Sequence, residues 1–140
     1  MADGLFVQLS SQAWSQYKSV TSRDTSYLTL LEPKYQTFLS AAGKVDASMA
    51  KLTTPPKADQ ISPVADAVTL MESAQSGIIQ IIEKFVQMDA QAVKNTGTVN
   101  QKALSDKNAQ EQSTDQDFQL AIDGVVYQAQ VRLAAASAEV

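Results

Sequence analysis

The residue types that usually carry catalysis are scarce in this chain of 140 residues. It holds no histidine and no cysteine. The usual general base near neutral pH, the commonest metal ligand and any thiolate nucleophile are therefore missing. Serine–histidine–aspartate and cysteine–histidine arrangements are impossible. The five glycines, at 4, 43, 77, 97 and 124, never gather into a phosphate-cradling loop. The tightest carboxylate grouping, Asp115-Gln116-Asp117, lacks the glycine and distal glutamate of a calcium loop, and reads as part of a solvated polar stretch. This composition predicts no enzyme, no metal and no cofactor.

One pair with helical spacing is left to weigh. Phe85-Val86-Gln87-Met88-Asp89 sets an aromatic ring and a carboxylate four residues apart, so on a helix they stack along one face. By residue pattern alone Phe85 belongs to an apolar seam, and Asp89 is either a solvated flank or the acidic half of a displayed pair.

The elements that must position this pair are written in two runs of apolar residues spaced three then four. The first is Leu28, Leu31, Tyr35, Phe38, Ala42, Val45, Met49, Leu52, and the second is Met71, Ala74, Ile78, Ile81, Phe85, Met88, Ala92. Such spacing keeps one seam of a helix turned toward a partner helix. Between them lies Thr53-Thr54-Pro55-Pro56-Lys57-Ala58-Asp59-Gln60, where the prolines interrupt a helix. The expected fold is all-α, an elongated antiparallel helical hairpin.

Its first helix is expected over about 3–53. The apolar side of its early part is Phe6, Leu9, Ala13, Tyr17 and Val20, with Trp14 adjoining. The polar stretch from Thr21 to Ser26 contains no strict breaker, and the rod kinks where Pro33 removes a donor. The turn covers 54–62. The second helix runs over about 63–96, with Ser62 as N-cap, Pro63 in its first position and Gly97 as stop. Residues 98–117 read as a polar linker or a continuing helix. Residues 118–140 are two-sided. Phe118, Leu120, Ile122, Val125, Tyr127, Ala129, Val131 and Leu133 alternate around Asp123-Gly124 like a hairpin. Phe118, Ile122, Val125, Ala129 and Leu133 also fit one helical face, and the alanine-rich end favours helix or order gained on binding.

Net charge is -4 and the eleven basic residues never cluster. That argues against nucleic acid and against an anionic membrane surface. The longest greasy patch, Ile78-Ile79-Gln80-Ile81-Ile82, is too short to span a bilayer. No basic region followed by an apolar stretch opens the sequence, so export would need a dedicated machine.

Rod, loop, rod and an aromatic-x-x-x-acid element near the end of the second rod resemble the WXG-like superfamily of type VII secretion. The stretch Ile78–Asn95 is most similar to the small helical targeting proteins associated with LXG toxins. The likeness covers about residues 21–96. It lacks Trp-x-Gly at the turn, where Thr-Thr-Pro-Pro stands instead. What the resemblance implies is a non-enzymatic partner that binds the helical domain of a toxin, with or without a second small helical protein. It would carry the toxin to the secretion ATPase of a Gram-positive bacterium, residing in the cytoplasm before export and then outside or on the cell surface. Carried over, Phe85 and Asp89 are the export and targeting motif, protruding at the surface. The competing expectation is a self-assembling structural subunit of a needle, rod or other filament, which open-ended growth would favour, whereas a monomer or a homodimer favours the partner.

Overall fold

The computed structural model describes residues 4–140, and over these the regular secondary structure is all helical. Four helices follow in order: α1 (Leu5–Val20), α2 (Thr25–Met49), α3 (Ala58–Lys94) and α4 (Thr98–Ala138). Each packs against its sequence neighbours, and α1 closes the ring on α4. Cross-links fix the directions. Asp46, late in α2, receives the backbone N–H groups of Phe6 and Val7 at the start of α1. Gln75 of α3 reaches Asp123 of α4, and Glu72 meets Gln130. As one residue number rises the other falls, so neighbours are antiparallel and the result is an up-and-down four-helix bundle.

The two seams anticipated from sequence form the middle of the core. Leu31, Tyr35, Phe38, Ala42 and Val45 on α2 face Met71, Ala74, Ile78 and Phe85 on α3, all buried, and Ile82 takes the buried place expected for Ile81, which is only half-buried. That helix pair alone does not complete the core. Phe6, Trp14 and Tyr17 of α1 and Phe118, Ile122, Val125 and Ala129 of α4 close it. Trp14 stacks on Tyr35 with ring centroids 4.6 Å apart and meets Phe118 edge-on at 5.6 Å, tying α1, α2 and α4 together.

Several expectations are corrected. The first rod, expected over 3–53, is two helices folded back on each other, and its starting residue 3 lies outside the described residues. The break falls at Thr21–Asp24, without glycine or proline. Thr21 is extended, and Asp24 caps α2 by accepting the Ser26 N–H at 3.0 Å. Pro33 lies inside α2 and does not divide it. The second rod begins at Ala58, not 63, so Pro63 falls past the first turn and Ser62 is no cap. Gln60 Oε1 secures this start by accepting the N–H groups of Lys57 and Thr53. Val20 is exposed rather than packed.

Residues 98–138 form one helix of 41 residues, with neither linker nor hairpin. The alternation had a different cause. Phe118, Ile122, Val125 and Ala129 make the inward stripe, whereas Leu120, Gly124, Tyr127, Val131, Ala134 and Ala138 make a second, exposed stripe about half a turn away. Two apolar stripes on opposite sides of one helix read locally as a period of two.

Candidate functional site

The end of the bundle that holds the α1–α2 break has a charged interior. Arg23 turns inward from that break and is buried, as are Asp89 of α3 and Glu111 and Asp115 of α4. Its Nη1 donates to Asp89 Oδ1 at 2.6 Å and its Nη2 to Asp89 Oδ2 at 2.9 Å, a two-pronged grip. Nη2 also donates to Asp115 Oδ2 at 2.7 Å. Nε lies 3.9 Å from Glu111 Oε2, too far for a hydrogen bond, and is without a partner. The guanidinium rests against the Tyr27 ring, 4.6 Å from its centroid, and against Phe85 at 5.2 Å.

Outer groups fill the remaining lone pairs. Tyr17 Oη donates to Asp115 Oδ1 at 2.7 Å, and Tyr27 Oη to Asp89 Oδ1 at 3.0 Å. Gln112 Nε2 donates to Asp89 Oδ2 at 3.0 Å. Glu111 accepts the Ser22 N–H and the Thr21 hydroxyl, which orders the break itself. Every helix therefore contributes to one clasp around Arg23.

The two aspartates respond oppositely. Burial pushes Asp89 upward, but its bonds from Arg23, Gln112 and Tyr27 outweigh that and hold it below its ordinary value. For Asp115 burial prevails over its bonds from Arg23 and Tyr17, and its carboxyl is raised. Tyr17 is raised too, by burial and then by donating to Asp115. The bonds that Arg23 donates to Asp89 and Asp115 overcome its burial penalty and strengthen its hold on the proton.

The expected export pair is thus not displayed. Phe85 is 0% exposed and Asp89 2%. They do stack on one face of α3 as the spacing required, but that face is the core. Asp115 is not solvated either, being 0% exposed. Sequence reasoning missed Arg23, Tyr17, Tyr27, Glu111, Gln112 and Asp115. A signal was present: Asp89 continues the step Ile78, Ile82, Phe85, and Glu111 and Asp115 lead in phase into Phe118 and Ile122. A carboxylate in register with a buried stripe needs a buried cation, and Arg23 sits where a chain break can turn it inward.

What the clasp can do chemically is lock. Its carboxylate oxygens point at donors already engaged, and among the described residues no group of three or more potential ligands is arranged to hold a metal. No described helix is long and apolar enough to cross a membrane.

Two surface features stand apart from the clasp. One is the outer stripe of α4, where Leu120 is 66% exposed, Tyr127 63% and Val131 49%. The other is a groove between α2 and α3, made of two adjoining hollows of about 530 and 460 Å³ that share Lys44 and Leu70. Comparison of the chain with protein-family models, curated proteins and solved structures gives no match.

Proposed function

We propose that the chain is a non-enzymatic helical binding protein that docks another helical protein on its outer surface. The observation that carries this reading is the second apolar stripe of α4. The inward stripe already satisfies the fold, so Leu120, Tyr127 and Val131 stand in water with no structural task within the bundle. Helices associate by such stripes. The WXG-like resemblance narrows the partner to the helical domain of an LXG-type toxin bound for type VII secretion.

The burial of Phe85 and Asp89 changes what each part contributes. The folded bundle does not offer them to a secretion ATPase, and the export reading loses the surface element on which it leaned. Their task in this proposal is to close the bundle, and recognition of the cargo falls to α4. The hairpin of the family resemblance corresponds to α2 and α3, with α1 and α4 as additions that cover its seam.

The test is reconstitution. The chain is mixed with the isolated helical domain of an LXG-type toxin, and mass is measured by light scattering after size-exclusion. A defined complex is expected, and Leu120→Asp with Tyr127→Asp should weaken it at least tenfold while the helical signal in circular dichroism stays intact. No complex, or one indifferent to the double variant, would overturn the reading.

A further inference from the structure

The groove between α2 and α3 and the ridge on α4 match in length. The groove is floored by small residues, Ala41, Ala67, Ala74 and Gly77, so the two helices leave a channel along their junction. It extends from the level of Asp59 to that of Gly77, 18 residues of α3 by subtraction, or about 27 Å at 1.5 Å per residue. The α4 ridge from Leu120 to Ala138 covers the same 18 residues and about 27 Å. A channel with a floor of small side chains accepts a ridge of bulky ones, as in the packing of helix ridges into grooves.

Charge matches as well. Lys34 and Lys44 of α2 and Lys51 in the turn after it line one wall, and none of them makes an ion pair among the described residues. Two exposed carboxylates, Asp117 and Glu139, stand just beyond the two ends of the α4 ridge, whereas Asp123 already accepts from Gln75 and Arg132 lies over the Phe6 ring on the α1 side. Set antiparallel to α3, with Ala138 beside Asp59 and Leu120 beside Gly77, Glu139 comes to the end of the groove where Lys51 stands. Asp117 then falls at the end where Lys34 stands.

We propose that the α4 ridge of one copy docks in the α2–α3 groove of a second copy of this chain. Ridge and groove are different surfaces, so the contact is head-to-tail. Each added copy leaves one free groove and one free ridge, and assembly continues in an open series instead of closing as a two-fold dimer. The proposal goes beyond partner binding, because a toxin helix and a second copy compete for the same ridge while the groove serves only self-association.

Analytical ultracentrifugation of the full chain over a wide concentration range tests this. Wild type is expected to grow past dimer as concentration rises, and to shrink again in high salt as the lysine–carboxylate attraction is screened. Two variants confined to exposed positions separate the surfaces: Leu120→Asp with Tyr127→Asp removes the ridge, and Leu70→Asp with Ser73→Trp blocks the groove. Each alone should be monomeric and folded by circular dichroism. Their mixture should form a one-to-one dimer and nothing larger, since only one intact ridge and one intact groove remain to meet. A monomeric wild type, variants that still assemble, or a mixture that stays monomeric overturns the proposal. The groove variant also separates it from the function proposed above. Lost self-association with undiminished toxin-domain binding leaves both readings standing, whereas lost toxin binding with intact self-association in the wild type sinks only the function.

Discussion

The interior of this bundle changes character along its axis. Around Phe38, Met71 and Ile122 it is apolar and fully buried, held by area alone. Around Arg23 it is ionic, with one guanidinium gripping two carboxylates and a third close by. The apolar part is tolerant, since stripes spaced three and four can pack with many similar stripes. The ionic part is selective. Arg23 reaches Asp89 and Asp115 only when α3 and α4 stand at one height and the α1–α2 break turns inward. The contrast teaches that most of the folding drive comes from one region and the choice of arrangement from the other.

The largest effect expected on this contrast is at Arg23. Arg23→Ala leaves Asp89 and Asp115 buried without their cation and should cost about 3–5 kcal/mol in urea unfolding. Replacing the group together, Arg23→Met with Asp89→Leu and Asp115→Leu, should instead be neutral or stabilising by about 1–4 kcal/mol, because the desolvation burden goes with the charges. A triple variant as unstable as Arg23→Ala would mean that the clasp supplies net stability, and the division of labour would fall.

In the apolar region, Phe38→Ala should cost a comparable 3–5 kcal/mol, the usual range for a large side chain lost from a packed core. No partner substitution in the clasp should rescue it. Additivity with Arg23→Ala within about 0.5 kcal/mol would mark the regions as independent.

A smaller loss belongs to Asp46. It accepts the N–H groups of Phe6 and Val7 at 3.0 and 2.9 Å, capping α1 from another helix. Its carboxylate fills the space a Cβ on Gly4 would need, so glycine is required there. Asp46→Ala should cost about 1–2 kcal/mol, the range for a lost cap, with faster amide exchange confined to the first turn of α1.

The smallest signal is in pH dependence. A carboxyl raised by folding, as at Asp115, takes up a proton on folding; its share of stability is present below the unfolded value of about 3.9 and lost as pH rises through the higher folded value. Asp89 runs the other way: its share is present above the unfolded value and lost as pH falls through the lower folded one. Asp115→Asn should therefore flatten the decline in stability on the alkaline side of about pH 4 and leave the acid limb in place. An unchanged profile between about pH 4 and pH 7 in serial urea titrations would contradict the assignment.

The middle of the fold was legible because α2 and α3 each bear one stripe and prolines stand between them. The break at Thr21–Asp24 was not, since it rests on long-range contacts: Glu111 binds the Ser22 N–H and Arg23 finds its partners on α3 and α4. No local residue type announces either. α4 was ambiguous for the opposite reason, carrying two apolar stripes where a fold needs one. The site was half legible. The Phe85–Asp89 spacing placed the pair on one helix face, but not on which side of the protein surface. Asp115 was misread because a carboxylate between polar neighbours looks solvated until its register with Phe118 and Ile122 is counted.

The most direct test is the stability of Asp89→Ala. As a member of the clasp, Asp89 holds Arg23 through two hydrogen bonds and receives Tyr27 and Gln112. Its removal should lower the unfolding free energy by about 3–5 kcal/mol, as expected for breaking a buried ion pair. A variant with wild-type stability that lost only partner binding or export would show Asp89 to be a displayed contact and would contradict the account.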